Sequence, residues 1–127
     1  MPITWDSVLS GNATIVETRK RDGSWVSTPV TMIEYAPGAV FMTDSRAGKL
    51  KRIRNFSDVR VASSTMRGER TGELRHAGAR ILTGQENQSA LRAMRRAHPI
   101  IFGIILRLRY RAPVMVELSE LSEVVPE

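Results

Sequence analysis

Two turn signals divide the opening third of the chain into three segments with strand character. Asp22-Gly23 supplies the positive φ that a tight hairpin requires, and Ala36-Pro37-Gly38 forms a second turn. The predicted strands cover residues 13–18, 25–35 and 39–43. Pro29 lies inside the second strand and has no N–H to donate, so we expect that strand to lie at a sheet edge or to bulge there. The chain is therefore expected to open as an antiparallel meander.

A basic segment follows the third strand directly. It opens with Asp44 and Ser45, whose side-chain oxygens can accept the free backbone N–H groups at the start of a helix. We expect a short helix that ends near Asn55 and carries one apolar stripe, at a spacing of about 100° per residue. The stripe consists of Ala47, Leu50 and Ile53.

The predicted helix is rich in basic residues, and no acidic residue follows Asp44 within it. Lys49 and Arg52 lie together on one flank of the stripe, and Lys51 and Arg54 lie on the other side. A helix N-terminus offers free N–H donors and the positive end of the macrodipole, so added cations make a site that suits phosphate. A solvated basic surface is the alternative interpretation.

The rest of the chain alternates strands with helices. Further strands are predicted over residues 59–64, 73–82 and 113–118, and helices over 5–9, about 84–97 and about 100–108. This order indicates a mainly β fold, a small antiparallel barrel with two or three short helices. A chain of 127 residues is expected to form one domain over 1–127, with an acidic tail over about 119–127.

The charge of the chain is unevenly distributed. The formal net charge is +6, but four glutamates close the sequence with no cation among or after them. These are Glu117, Glu120, Glu123 and Glu127. Without them the first 116 residues carry +10, which implies an anionic partner such as a phosphorylated small molecule, a nucleic acid or a membrane surface.

Residue usage excludes several kinds of site. The chain has no cysteine, which rules out disulfides, a thiolate nucleophile and cysteine-based metal sites. Only His76 and His98 are present, so no histidine cluster can form, and no metal site is expected. The first residues lack the pattern of a signal peptide and no stretch is long enough to span a bilayer, so we expect a cytoplasmic protein.

Several blocks of sequence together carry a resemblance to a known family. They are Thr18 to Gly23, Ser27 to Val30, Phe41 to Thr43, the cations from Lys49 to Arg54, and Val59 to Ala62. In order and spacing these blocks resemble the split-barrel family of pyridoxamine 5′-phosphate oxidase, and within it the branch that uses the deazaflavin coenzyme F420. The resemblance extends over roughly residues 12–97.

The resemblance implies a fold, an assembly and a cofactor. It implies a homodimer of six-stranded antiparallel split β-barrels that bind the cofactor in grooves along the subunit interface. The cofactor phosphate would lie against the helix after the third strand, and the ring would lie over the second strand. The protein would need no acid–base pair of its own, because hydride transfer is the chemistry of the cofactor. No catalytic residue is therefore named.

The resemblance also implies which residues contact the cofactor. The phosphate would be held by basic side chains and by hydroxyl and backbone groups at the start of the helix. The ring would lie beside the second strand and its neighbour. By this resemblance the phosphate contacts are Lys49, Lys51, Arg52, Arg54, Thr43 and Ser45, and the ring contacts are Ser27, Thr28, Pro29, Val30 and Thr18. The sequence departs from the family pattern at 63–66 and at 96–99, and the second stretch often shapes the substrate end of the pocket.

Four functions remain open from the sequence. The first is an F420-dependent oxidoreductase that acts on a small organic substrate, and the second is an oxidoreductase that uses flavin mononucleotide (FMN) in the same groove. The third is an F420-binding protein without turnover. The fourth is a nucleic-acid-binding barrel, which we do not expect because few aromatic residues interleave with the basic run.

The apolar run from Ile100 to Leu108 has two interpretations. It can lie in a membrane interface, with nearby arginines meeting lipid phosphates. Short apolar runs are more often core or subunit contact, and that is the favoured interpretation here.

Overall fold

The computed structural model describes residues 5–108 and 112–121 of the chain. The strands are β1 (Ala13–Arg19), β2 (Trp25–Tyr35), β3 (Gly38–Asp44), β4 (Asp58–Ser64), β5 (Arg75–Ile81) and β6 (Pro113–Ser119). The helices are α1 (Trp5–Val8), α2 (Gly48–Asn55), α3 (Gly84–Ala97) and α4 (Pro99–Leu108). The acidic tail predicted over 119–127 lies outside the described residues from 122 onward.

The strands close into an antiparallel barrel in the order β1-β2-β3-β6-β5-β4. The barrel is closed by the antiparallel pairing of β1 with β4, in which Val16 lies opposite Val61. The expected mainly β, six-stranded antiparallel barrel with short helices is confirmed. The predicted bounds of each strand lie close to the observed ones. Alternating patterns and turn residues mark these short strands in the sequence.

One core fills the interior of the barrel. Each strand turns alternate side chains inward, and Val16, Phe41 and Val61 are fully buried there. Burying one such side chain contributes roughly 1.5–3 kcal/mol. Leu50 and Ile53 of α2 join this core, as the predicted apolar stripe requires. The helix that carries the cations is thus fixed against one end of the barrel.

A second core lies on the outer face of β3 and β6, beneath α3 and α4. Its buried members are Val40, Met42, Leu82, Ala90, Met94, Phe102 and Met115. On α4, Phe102 is 5% exposed, whereas Ile100 is 76% exposed and Ile104 53% exposed. Phe102 is therefore core, whereas Ile100 and Ile104 are not, and for these two isoleucines the favoured interpretation as subunit contact stays a prediction. Within the described ranges, no helix combines the length and the apolar character needed to cross a bilayer.

Strand β2 pairs with different neighbours along its length. Its first half pairs with β1, where Pro29 lies opposite Ile15, and its second half pairs with β3 from Thr31 onward. Pro29 therefore lies in the part of β2 that pairs with a strand on one side only. Such a local sheet edge accommodates a residue that has no N–H to donate. The register with β1 is regular through Pro29, so the structure has the first of the two expected alternatives, an edge, and no bulge there.

Candidate functional site

The start of α2 has no side-chain cap. The helix begins at Gly48 and its N-cap residue is Ala47, so the prediction that Asp44 and Ser45 cap the helix is wrong. Asp44 instead accepts the N–H of Arg46 at 3.0 Å and, through its carbonyl oxygen, the N–H of Ala47 at 2.9 Å. The first turn of α2 therefore keeps the partial positive charge of its backbone N–H groups without a side-chain oxygen to balance it.

Two cations of α2 lie beside this uncapped turn. Arg52 donates a hydrogen bond from Nε to Oγ1 of Thr18 at 2.6 Å, and Thr18 is 1% exposed. The guanidinium also lies over the first helical residue, because a Cβ on Gly48 would be 3.0 Å from Nη1 of Arg52. Lys49 is half-buried on the same flank. Burial lowers the pKa of Lys49 from its ordinary value of 10.5, and the positive charge of Arg52 lowers this pKa further.

The other partly buried cations have acidic partners. Nη2 of Arg60 lies 2.6 Å from Oε1 of Glu17, and Nη2 of Arg19 lies 3.4 Å from Oδ2 of Asp58. In contrast, no carboxylate oxygen of the described residues lies within 4.0 Å of Lys49 or Arg52. Two neighbouring positive charges that lose solvent without an acid are costly, so an external anion bound here would stabilise both.

The structure separates the remaining predicted phosphate residues. Lys51 and Arg54 are exposed on the other side of α2, as the helical spacing predicts. Thr43 is 2% exposed and shares the inward face of β3 with Phe41. Ser45 is exposed, and its backbone N–H donates to the carbonyl oxygen of Ala112 at 3.0 Å. That N–H is therefore already used within the chain.

The predicted ring stretch on β2 is divided between two faces of the sheet. Ser27 and Pro29 are exposed, whereas Thr28 and Val30 are half-buried and alternate with them. Thr28 lies opposite Val16, whose side chain is in the barrel interior. The four residues cannot all face one ring, because neighbouring side chains of a strand point to opposite faces.

A cavity of about 340 Å³ lies between β2 and the end of α3. Val30, Met32 and His98 are among the residues that line it, together with Thr14 of β1. Val30 and His98 belong to stretches that the resemblance places beside the ring and at the substrate end, and the structure brings them to one cavity. Thr14 of this cavity and Thr18, the partner of Arg52, are four residues apart on β1. The cavity and the cation pair are therefore separated by roughly 13 Å along the strand.

A charged aromatic cluster on the outside of the barrel was not among the predicted site residues. The Cζ atom of Arg60 lies 4.2 Å from the ring centroid of Trp25, and that of Arg19 lies 5.2 Å from it. The ring centroid of His76 is 6.4 Å away, with the planes tilted by 57°. The alternation of inward and outward side chains along β1 and β4 could have revealed the cluster. Glu17, Arg19 and Arg60 all occupy outward positions of these strands.

The comparisons with known proteins show the fold. No protein-family profile and no curated protein matches the sequence. The structure of HutZ, a heme storage protein from Vibrio cholerae, superposes with a TM-score of 0.68 at 9% identity, over 94% of this chain and 89% of that chain. A protein from Lactobacillus delbrueckii assigned as a pyridoxamine 5′-phosphate oxidase has a TM-score of 0.64 at 15% identity, with coverage of 98% and 93%.

An F420-H2 dependent reductase, FDR-A, is also similar. It has a TM-score of 0.56 at 15% identity, over 82% of this chain and 91% of that chain. Likeness at such identities shows the fold alone, and that fold is the split β-barrel of pyridoxamine 5′-phosphate oxidase-like proteins. These similar proteins have different roles, so the cofactor has to be argued from the chain's own residues.

Proposed function

We propose that this chain binds coenzyme F420 and is an oxidoreductase that transfers a hydride between the deazaflavin and a small organic substrate. The observation that carries the proposal is the pair Lys49 and Arg52, which is partly buried beside an uncapped helix start and lacks an acidic partner among the described residues. Such a pair fits the phosphate of a cofactor, because charge-assisted hydrogen bonds contribute about 1.5–3 kcal/mol each.

The residues of this chain would bind and orient the cofactor. Lys49 and Arg52 would hold the phosphate, and Thr18 would keep the guanidinium of Arg52 in place through the 2.6 Å hydrogen bond. Val30 would contact the ring from β2 where it lines the cavity at His98, and that cavity would admit the substrate. When bound, the cofactor supplies the hydride chemistry, and the protein positions the ring and excludes water.

We propose further that the functional unit is a homodimer. The resemblance implies grooves along a subunit interface, and α4 presents Ile100 and Ile104 at 76% and 53% exposure. Large side chains of this kind are normally covered, and a second copy of the chain would cover them. Contact of α4 with a membrane surface is the less favoured alternative.

FMN is the alternative cofactor. Its phosphate would use the same two cations, and a similar structure is assigned as a pyridoxamine 5′-phosphate oxidase. Nucleic acid is disfavoured as a partner, because few aromatic residues interleave with the basic run to stack on bases.

The test is a titration of the full chain with F420 and, separately, with FMN, followed by tryptophan fluorescence. We expect saturable binding of F420, weakened at least about tenfold by the double variant Lys49→Ala, Arg52→Ala, because each lost charge-assisted bond is worth more than a factor of ten. The double variant Lys51→Ala, Arg54→Ala removes the same charge from the exposed side of α2 and should bind as the unaltered chain does.

Each other outcome has a distinct meaning. Tighter binding of FMN than of F420 would favour the alternative cofactor. Binding of F420 without oxidation of the reduced cofactor by any of a panel of conjugated acceptors would indicate a binding protein without turnover. Equal weakening by the two double variants would overturn the proposed phosphate site, because it would show an unspecific effect of charge.

A further inference from the structure

A groove of about 470 Å³ lies between α3, α4 and the start of β6. Its volume falls in the range of roughly 300–1,000 Å³ that is typical of small-molecule sites. The lining residues are Asn87, Gln88, Leu91, Arg92, Arg95, Phe102, Ala112 and Pro113. The groove shares none of these residues with the cation pair of α2 or with the cavity at His98.

The groove combines an apolar floor with cations. Leu91 is half-buried and offers apolar surface to a ligand, and the buried Phe102, which is 5% exposed, lines the groove beside it. The Cζ atom of Arg95 lies 5.1 Å from the ring centroid of Phe102, which holds the guanidinium over that floor. Arg92 also lines the groove, and its Nη2 donates to Oγ of Ser89 at 3.1 Å.

Neither cation of the groove is neutralised within the described parts of the chain. No carboxylate oxygen of residues 5–108 or 112–121 lies within 4.0 Å of Arg92 or Arg95. The two arginines are three residues apart on α3 and therefore share one face of the helix. The groove thus places positive charge beside an apolar surface.

The wall of the groove is held in place by Asn87. Its Oδ1 accepts the backbone N–H of Met115 at 2.8 Å, and its Nδ2 donates to the carbonyl oxygen of Pro113 at 3.4 Å. These bonds tie α3 to β6. The groove is therefore formed by the fold itself, and a ligand would not need to order its walls.

We propose that this groove binds a small organic acid, with the apolar body on Leu91 and Phe102 and the carboxylate between Arg92 and Arg95. The planar guanidinium matches a carboxylate, which can accept two parallel N–H donors. The apolar floor distinguishes such a ligand from an inorganic anion, which would gain nothing from Phe102. The site is independent of the proposed F420 function.

The experiment is a calorimetric titration of the full chain with octanoate and with octanol, which has the same apolar body and no charge. We expect saturable binding of octanoate, at least about tenfold tighter than that of octanol. Arg95→Gln should weaken octanoate binding by about tenfold, a change of about 1.4 kcal/mol. Arg96→Gln removes the neighbouring cation, which does not line the groove, and should change the affinity by less than about twofold.

A second variant tests the floor independently of the charge. Gln88→Trp would place an indole in the groove from an exposed position of α3 and should abolish octanoate binding while both arginines remain. The double variant Lys49→Ala, Arg52→Ala should bind octanoate normally. Equal affinities for octanoate and octanol, equal effects of Arg95→Gln and Arg96→Gln, or loss of binding in the α2 double variant would each overturn the proposal.

Discussion

Arg52 and Thr18 join the cationic helix to the barrel by a hydrogen bond of 2.6 Å between Nε and Oγ1. The two residues are 34 positions apart, and the hydroxyl is buried at the end of the barrel that α2 covers. The bond fixes one guanidinium edge and leaves the remaining N–H groups of Arg52 available for an anion. The orientation of the candidate phosphate site thus depends on a residue of β1.

Thr18→Val should destabilise the protein by about 1.5 kcal/mol, because it removes a hydrogen bond to a charged group while it keeps the side-chain volume. Urea unfolding followed by tryptophan fluorescence measures the change in the free energy of unfolding. Thr28→Val, on the inward face of the neighbouring strand, is the control and should change it by less than about 0.5 kcal/mol. Equal losses in the two variants would show that the hydroxyl of Thr18 contributes nothing specific.

Lys49 should make stability rise with pH in the alkaline range. Its pKa in the folded protein is below its ordinary value of 10.5, so the unfolded chain binds more protons between these two values, and the free energy of unfolding increases with pH there. Below that range the full penalty for the charged amine is present. Lys49→Met should therefore stabilise the protein at neutral pH by up to about 1 kcal/mol, since solvent screens a partly exposed charge.

The measurement for Lys49→Met is the free energy of unfolding from pH 7 to about pH 10.5, the range set by the ordinary pKa of lysine. The advantage of the variant should shrink as the pH rises. Lys51→Met, an exposed lysine of the same helix, should show no such trend. A constant difference across the range would mean that burial beside Arg52 does not disfavour the charge of Lys49.

Periodicity in the sequence was sufficient to place the cations of α2 relative to one another. Residues three apart share a helix face, so Lys49 and Arg52 had to be neighbours, and Leu50 and Ile53 had to turn toward the core. The start of the helix was misplaced because Asp44 uses its carboxylate in a local turn with the N–H of Arg46. Asp side chains can satisfy either a turn or a helix start, and the local sequence does not decide between them.

Contacts between distant parts of the chain could not be predicted in the same way. The partner of Arg52 is on β1, and the groove between α3 and α4 requires Leu91 of α3 to lie near Phe102 of α4 and Pro113 of β6. Each segment has an ordinary pattern, and the sites arise when the barrel closes and brings them together. The fold class follows from local patterns. The groove between α3 and α4, and the lack of acidic partners beside the two pairs of cations, follow from tertiary packing.

Gly38→Ala should destabilise the barrel by about 3 kcal/mol or more, because a Cβ at this position would collide with the carbonyl oxygen of Leu118 on β6. The backbones of β3 and β6 would have to separate. Gly103→Ala is the matched control, since nothing lies near a Cβ there and alanine favours a helix by about 1 kcal/mol. Thermal unfolding should give a large drop for the first variant and a small rise for the second. A comparable drop in both would contradict the close approach at Gly38.

Asn87→Ala should destabilise the protein by about 1–3 kcal/mol, because the N–H of Met115 is buried and would lose its acceptor. Asn87→Asp keeps an oxygen 2.8 Å from that N–H and loses only the longer bond to Pro113, so its cost should be smaller. Amide hydrogen exchange at Met115 reports on the contact directly. We expect fast exchange in Asn87→Ala and protection in Asn87→Asp. Equal protection in both would mean that another group, and not the side chain of Asn87, holds β6 against α3.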